Sequence, residues 1–100
     1  MTNNDIKRIQ SLELGKSRME YNQFFIEGKR LVQSVLELSA KIDSVYFTDP
    51  FRIENMEMVD SVQNSDISFE QIPTKQFSKI SFTQSPSGIG AVCRLPDQGK

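Results

Sequence analysis

The sequence lacks histidine altogether and has a single cysteine, Cys93. The missing histidines remove the commonest general base near neutral pH and the commonest metal ligand. One cysteine cannot form an internal disulfide, and it has no second thiol with which to share a zinc ion. An enzyme that uses carboxylates or serine stays possible in principle, but these absences argue against a self-contained enzyme.

Long apolar runs and a secretion signal are also missing. No apolar run approaches the ~18 residues that cross a bilayer, and residues 1–5 show no basic segment followed by an apolar one. With one cysteine, the cytoplasm is the expected compartment, and we expect no membrane partner. One hundred residues correspond to one domain with a modest core.

The net charge of −1 argues against a strongly basic nucleic-acid-binding protein. The charge is uneven, however. Residues 1–30 hold six basic and four acidic side chains (+2), whereas residues 31–100 hold six basic and nine acidic ones (−3). A basic patch within the first 30 residues and an ordinary solvated surface both explain this small imbalance.

Apolar periodicity and turn residues predict eight elements in the order α, β, α, β, α, β, α, β. Gly15 is expected to end the first helix and Lys16-Ser17-Arg18 to form an exposed basic connector. The predicted elements are a helix at 5–13, a strand at 23–26, a helix from 29 to about 40, a strand at 43–48, a helix from 49 to about 63, a strand at 67–70, a short helix from 74 and a strand at 89–93.

This order predicts a small three-layer α/β/α sandwich with a four-stranded, at least partly parallel sheet and helices on both faces. The continuous apolar run at 23–26 is typical of an interior strand. A Leu31→Ala or Phe47→Ala change should cost roughly 2–5 kcal/mol. The predicted core consists of Phe24, Ile26, Leu31, Val35, Val45, Phe47, Val59, Ile67, Phe69, Phe77, Ile89 and Val92.

Two further patterns indicate structure rather than chemistry. Gly88-Ile89-Gly90 superficially matches a dinucleotide-binding turn, but it enters a predicted strand instead of opening a helix. Cys93 on that strand is interpreted as a small buried apolar residue rather than a reactive thiol.

Two basic pairs are the candidate functional residues, Lys16-x-Arg18 before the first strand and Lys29-Arg30 after it. A five-residue strand spans about 17 Å, so the pairs form one patch only if the connector folds back. Together with amides at the start of the following helix, such a patch would suit phosphates. The alternative is that these are solubilising charges, and Glu27 likewise has a structural explanation beside a helix N-terminus.

Three stretches, in order, resemble the N-terminal substrate-binding domain of the SpoU/TrmH family of RNA ribose 2′-O-methyltransferases. The resemblance covers essentially residues 6–96. It divides the chain into a substrate-binding domain at 1–96 and the start of a linker at 97–100. The stretches are Arg18-x5-Phe24-Phe25-Ile26-Glu27-Gly28-x-Arg30-Leu31-Val32, then Ile42-x-x-Val45-Tyr46-Phe47-Thr48, then Phe77-x-x-Ile80-Ser81-x-Thr83-Gln84-Ser85-Pro86-Ser87-Gly88-Ile89-x-Ala91-Val92.

The resemblance implies a fold like that of small ribosomal proteins that bind kinked RNA. It also implies a role in holding tRNA or rRNA for a separate, knotted catalytic domain that binds S-adenosylmethionine. No catalytic residue, cofactor site or metal site is then expected in these residues, and the isolated domain should be monomeric and inactive alone. Ser87 departs from the glutamine usual in the family. The implied RNA-contacting residues are Lys16, Arg18, Gly28, Lys29, Arg30, Thr83 and Ser87.

Two other classes of function stay open. A protein-interaction or scaffold domain fits the near-neutral charge and the absence of stacking aromatic residues outside predicted core positions. A small enzyme that uses Asp or Glu is disfavoured, because no carboxylate pair is spaced for shared acid–base chemistry.

Overall fold

The computed structural model describes residues 1–38 and 41–95. None of the helices in these ranges is long and apolar enough to cross a membrane. The elements are α1 (Asn3–Ser11), α2 (Gly15–Tyr21), β1 (Gln23–Glu27), α3 (Lys29–Glu37), β2 (Ile42–Phe47), α4 (Asp49–Glu54), α5 (Met56–Gln63), β3 (Phe69–Gln71), α6 (Thr74–Ile80) and β4 (Ile89–Arg94).

The four strands form one sheet in the order β1-β4-β2-β3. β4 is antiparallel to both of its neighbours, whereas β2 and β3 are parallel. The predicted four-stranded, at least partly parallel sheet is therefore confirmed. The prediction that β1 is an interior strand is wrong, because β1 pairs with β4 on one side only and lies at the edge of the sheet. Residues 89–93 of β4 are all buried, so this strand occupies the centre.

Helices cover both faces of the sheet, as predicted for a three-layer sandwich. On one face, α1 and α6 pack against Phe25, Tyr46 and Val92. On the other face, α3, α4 and α5 pack against side chains that include Val45 and Phe47. Neighbouring strand residues point to opposite faces, so each strand contributes to both halves of the core. The apolar run in β1 therefore reflects coverage of both faces, which an edge strand also experiences.

Most of the predicted core is confirmed, with two corrections. Leu31 is 55% exposed, because its neighbour Val32 takes the inward position on α3 and is fully buried. Phe69 is 43% exposed on the edge strand β3, where its ring stacks on Phe47 with the centroids 6.3 Å apart. The fully buried predicted residues are Val45, Phe47, Val59, Phe77, Ile89 and Val92, and the half-buried ones are Phe24, Ile26, Val35 and Ile67.

The helical prediction is wrong around Gly15, which begins α2 instead of ending α1. The predicted connector 16–18 is therefore helical. The guanidinium of Arg18 explains the turn, because it donates to the carbonyl oxygens of Leu12 at 2.8 Å and Glu13 at 3.0 Å. These bonds satisfy acceptors just beyond the end of α1. α1 itself begins at a capping box formed by Thr2 and Asp5.

The single helix predicted from residue 49 to about 63 is two helices, α4 and α5. Asn55 breaks it, and its side-chain amide donates to the carbonyl of Phe51 at 3.1 Å. Thr48, rather than Asp49, caps α4 by accepting from the Phe51 amide at 3.4 Å. The predicted helix end near Ala40 and the predicted linker 97–100 lie outside the described residues.

Cys93 is fully buried in β4, as predicted for a small apolar residue. Burial and, secondly, the nearby Asp43 charge raise the pKa of its thiol from 9.0 to about 11. Because only the thiolate is nucleophilic, we expect a disulfide reagent at pH 8 to react at least ~100-fold more slowly with the native protein than with the urea-unfolded chain. Equal rates in the two states would contradict this burial.

The raised pKa also has a consequence for stability. Folding favours the neutral thiol, so its contribution is complete below the unfolded pKa near 9.0 and is lost as the pH rises towards 11. Cys93→Ala should remove the part of the alkaline loss that this thiol causes, which urea titrations across that range would measure.

Candidate nucleic-acid interface

One edge of the sheet brings together the ends of β1 and β2 and the start of β4. Glu27 pairs with Gly90 across β1 and β4, and Phe47 pairs with Ile89 across β2 and β4. α3 begins directly after β1 at this edge, and the loop 81–88 enters β4 here. We name Gly28–Arg30 together with Ser81–Gly88 the candidate surface.

Gly28 makes the turn from β1 into α3. Its φ of +106° lies in a region that favours glycine, although a Cβ there would meet no neighbouring atom. Its amide donates to the Ile89 carbonyl at 2.9 Å, and its carbonyl accepts from the Val32 amide at 3.0 Å. The turn therefore ties the start of α3 both to β4 and to its own first turn.

Lys29 and Arg30 are exposed in the first turn of α3. That turn contains no acidic residue. Within residues 1–38 and 41–95, neither side chain forms an ion pair. The N-terminal end of a helix carries partial positive charge. Two unpaired cations and a helix N-terminus thus produce the most favourable environment for an anion at this edge.

The first part of the 81–88 loop is held against the end of β1 by Glu27. Its carboxylate accepts from the Ser81 hydroxyl and from the Phe82 amide, each at 2.7 Å. The Ser81 hydroxyl in turn accepts from the Thr83 amide at 3.2 Å. Thr83 is exposed, and these bonds link it through Ser81 to Glu27, the residue before the Gly28 turn.

The second part of the loop is anchored to β2. The carbonyl of Gly88 accepts from the Thr48 amide at 3.0 Å. Gly88 has a φ of +93°, and a Cβ there would lie 2.9 Å from the Thr48 hydroxyl. Ser87 is exposed, and its hydroxyl lies 3.3 Å from the Ile89 carbonyl oxygen. The sharp turn after Pro86 therefore depends on both the conformation and the small size of Gly88.

Lys16 and Arg18 both lie in α2 but differ in environment. Arg18 is half-buried and is bonded to the carbonyls at the end of α1, so it is a structural residue in the present geometry. Lys16 is exposed in the first turn of α2. The Gln10 side chain, near the end of α1, donates to the Lys79 carbonyl at 2.8 Å, only two residues before Ser81. This bond ties the end of α1 to the end of α6, whereas no hydrogen bond or ion pair within the described ranges links Lys16 itself to the candidate surface.

A second concave surface lies between α3 and the α4–α5 corner. This groove of about 740 Å³ has a partly apolar lining that includes Ile53 and Met56, which are 58% and 55% exposed. Its charged residues are Lys29, Glu37, Glu54 and Glu57. Three carboxylates against one ammonium repel phosphate, so RNA is not expected to lie in this groove.

No group of three or more potential metal-ligating side chains occurs within the ranges that the structure describes. The Gly88–Gly90 segment leads into β4 rather than into a helix, in agreement with its sequence interpretation. A Cβ on Gly90 would lie 2.4 Å from the Phe25 ring. Gly90 therefore makes room for the Phe25 ring, and that ring leaves no space for a ligand beside Gly90.

Solved structures that share this fold include three methyltransferases. One is described as an RNA methyltransferase of the TrmH family from Porphyromonas gingivalis (TM-score 0.78, 25% identity, 100% of this chain and 38% of that one). Another is the SpoU methyltransferase AviRb from Streptomyces viridochromogenes (TM-score 0.80, 13% identity, 96% and 37%). The third is an rRNA methyltransferase from Sinorhizobium meliloti with AdoMet bound (TM-score 0.74, 23% identity, 98% and 36%). The fold is thus one found within RNA methyltransferases.

The family itself follows from sequence. The model of the MRM3-like substrate binding domain matches residues 3–91. The chain belongs to this family of substrate-binding domains, and the resemblance to SpoU/TrmH methyltransferases is confirmed. The chain is also 28% identical over 96 residues to the 23S rRNA (guanosine(2553)-2′-O)-methyltransferase RlmP of Bacillus subtilis. The aligned region covers 96% of the present chain and 36% of the length of RlmP, so the chain spans about a third of this relative.

Sequence reasoning placed the basic residues but missed the contacts that arrange them. The hydrogen bond between Glu27 and Ser81 joins residues 54 positions apart, and local sequence patterns do not predict such a contact. The available signal was that Glu27-Gly28 and Ser81-x-Thr83 both belong to stretches that carry the family resemblance. The anchoring role of Arg18 was missed for the opposite reason, because its partners are backbone carbonyls that any sequence would supply.

Proposed function

We propose that this domain binds RNA at the candidate surface and positions it for methylation of a ribose 2′-hydroxyl by a separate catalytic domain. Membership of a family of substrate-binding domains supports a binding role. RlmP is named for methylation of 23S rRNA and the S. meliloti relative is an rRNA methyltransferase, so rRNA is the first RNA to test, ahead of tRNA.

The observation that carries the proposal is the pair of exposed cations at the start of α3, which form no ion pair with the described residues. Phosphate contacts from Lys and Arg fix the register and orientation of a nucleic acid without reading its sequence. In this proposal Lys16, exposed on α2, is a third cation for the RNA backbone, and Thr83 and Ser87 contribute hydroxyls from the loop. These residues would bind the RNA backbone. The shape of the RNA and the catalytic domain would then determine which nucleotide is methylated.

The methyl donor belongs to the second domain in this proposal. S-adenosylmethionine supplies the methyl group when it is bound there, and AdoMet is bound in the S. meliloti relative. The Gly88–Gly90 segment does not fit such a cofactor, since the Phe25 ring occupies the space beside Gly90. The residues described above would bind and orient RNA and would exchange no proton with it.

Titration of the 100-residue chain with a 23S rRNA fragment and with tRNA, at 50 and 200 mM salt, tests the proposal. Without a catalytic domain, we expect dissociation constants of ~10⁻⁴–10⁻⁶ M that increase with salt, because binding releases counterions. A lack of binding at 50 mM salt, or an affinity that salt leaves unchanged, would rule out a phosphate-contacting surface.

The groove between α3 and α4–α5 supports the alternative function, a protein-interaction domain. Its exposed Ile53 and Met56 and its acidic residues suit a polypeptide better than a phosphate backbone. Apart from Lys29, which lines both surfaces, the two functions use different residues, so variants at the other positions of one surface should leave the other function intact.

A further inference from the structure

Glu27 is the acidic residue nearest in sequence to the cations of the candidate surface, which is unexpected for an RNA-binding site. Its half-buried carboxylate already accepts two hydrogen bonds, from the Ser81 hydroxyl and the Phe82 amide, both at 2.7 Å. Hydrogen bonds to an ionised carboxylate are stronger than those between neutral groups. The carboxylate is therefore engaged by the loop, and its charge is partly compensated there.

The effect of these bonds extends along the loop. The Ser81 hydroxyl lies 3.3 Å from both the carbonyl and the hydroxyl oxygen of Thr83, and it accepts from the Thr83 amide at 3.2 Å. One carboxylate thus orients three consecutive residues, Ser81 to Thr83. The Phe82 ring also packs edge-on against Phe25, with the centroids 5.5 Å apart, and the far end of the loop is tied down through Gly88 and Thr48.

We propose that Glu27 is a positioning residue for RNA: it holds Ser81–Thr83 against the Gly28 turn, so that Thr83 shares a surface with Lys29 and Arg30. The inference rests on the proposed function. Glu27 contacts no RNA in this account, because a carboxylate repels phosphate and its oxygens are occupied by the loop. It acts through the position of its partners.

The sign of the effect separates positioning from simple electrostatics. Removal of a negative charge beside a phosphate-binding surface should tighten RNA binding if charge alone matters. Loss of positioning should weaken it. Glu27→Gln removes the charge and one of the two acceptor oxygens, so the Phe82 amide and the Ser81 hydroxyl no longer both donate to residue 27, and a bond that stays loses its charge assistance. Glu57→Gln is the matched control, since Glu57 lines the groove together with Lys29 and is not among the described residues that bond to the loop.

The experiment measures two properties of the 100-residue chain. The first is hydrogen exchange of the Phe82 amide without RNA, and the second is the affinity for one RNA hairpin at 50 mM salt. Glu27→Gln should speed Phe82 exchange about tenfold or more and weaken RNA binding about three- to tenfold. Ser81→Ala, which removes the bond from the loop side and keeps the charge, should weaken binding in the same direction. Glu57→Gln should leave Phe82 exchange unchanged and bind RNA equally or slightly more tightly.

Two results would overturn the inference. One is wild-type protection of Phe82 in Glu27→Gln, and the other is a folded Glu27→Gln or Ser81→Ala protein that binds RNA as tightly as wild type. A variant that only loses stability would show a lower melting temperature but unchanged affinity at temperatures where it is folded. If the wild-type chain binds no RNA, or if alanine at Lys29 and Arg30 changes nothing, the proposed function fails instead. The Phe82 exchange would still report whether Glu27 orders the loop.

Discussion

Replacement of Lys29 and Arg30 together by alanine should weaken RNA binding about 10- to 30-fold at 50 mM salt, because two charged hydrogen-bonding groups are lost from one end of the surface. Both side chains are exposed and belong to a helix turn without acidic residues. The dependence of affinity on salt should also become shallower, by about 0.7 in slope for each lost contact to single-stranded RNA. Fluorescence titrations at several salt concentrations measure both quantities.

The control is the double variant Lys7→Ala/Lys41→Ala. These lysines are also exposed, but they lie on α1 and just before β2 and do not belong to the candidate surface. This variant has the same net charge as the Lys29/Arg30 variant and should lose at most about twofold in affinity, through the general field alone. Equal losses in the two variants would mean that RNA responds to the overall charge and that the start of α3 is no binding site.

Phe47→Ala should destabilise the domain by about 3–5 kcal/mol, the cost of a large cavity in a close-packed core. Phe47 is 1% exposed, and it lies in β2 against the helices of one face and against the Phe69 ring. A domain of this size has only about 5–15 kcal/mol of total stability. Urea unfolding followed by circular dichroism should therefore show a much lower midpoint.

Leu31→Ala tests the correction to the predicted core, in which Val32 rather than Leu31 is buried. Leu31 is 55% exposed, so its truncation should change the free energy of unfolding by less than about 1 kcal/mol. Val32→Ala, one position along α3 and fully buried, should cost clearly more. A Leu31→Ala protein as unstable as Phe47→Ala would show that this face of α3 is covered and that the packing described above is wrong.

The order of elements along the chain was largely predictable, whereas the order of strands across the sheet was not. Hydrophobic periodicity indicates which faces of a strand are buried. Both faces of β1 are packed against helices, although β1 is an edge strand. The central position of β4 depends on long-range pairing, which local pattern does not contain. Gly90 is the sequence feature that corresponds to the pairing of β1 with β4, because the Phe25 ring occupies the place of its side chain.

Helix ends were the least predictable feature for a related reason. Gly15 was expected to end α1, but the Arg18 side chain satisfies the carbonyls that follow the helix, so the chain re-enters a helix at Gly15. Leu31 and Val32 differ by one position, and both fit an apolar stripe within the tolerance of sequence reasoning. Only the direction in which α3 lies on the sheet decides which of them is buried.

The candidate site was predictable in its residue types and not in its assembly. Lys29 and Arg30 follow directly from the strand–turn–helix pattern. Thr83 could be brought beside them only through Glu27 and Ser81, a contact across more than half of the chain. Ser87 lies in the same loop but next to β4, where its hydroxyl approaches the Ile89 carbonyl.

The central claim, that RNA binds at this edge of the sheet, is tested most directly by amide chemical shifts of the 100-residue chain during titration with an RNA hairpin at low salt. We predict that the largest changes occur at residues 28–31 and 81–88, with smaller ones at the start of α2 and none beyond noise at 53–58 in the groove. Largest changes at residues 53–58, or at the opposite end of the sheet around Asp43 and Arg94, would contradict the account.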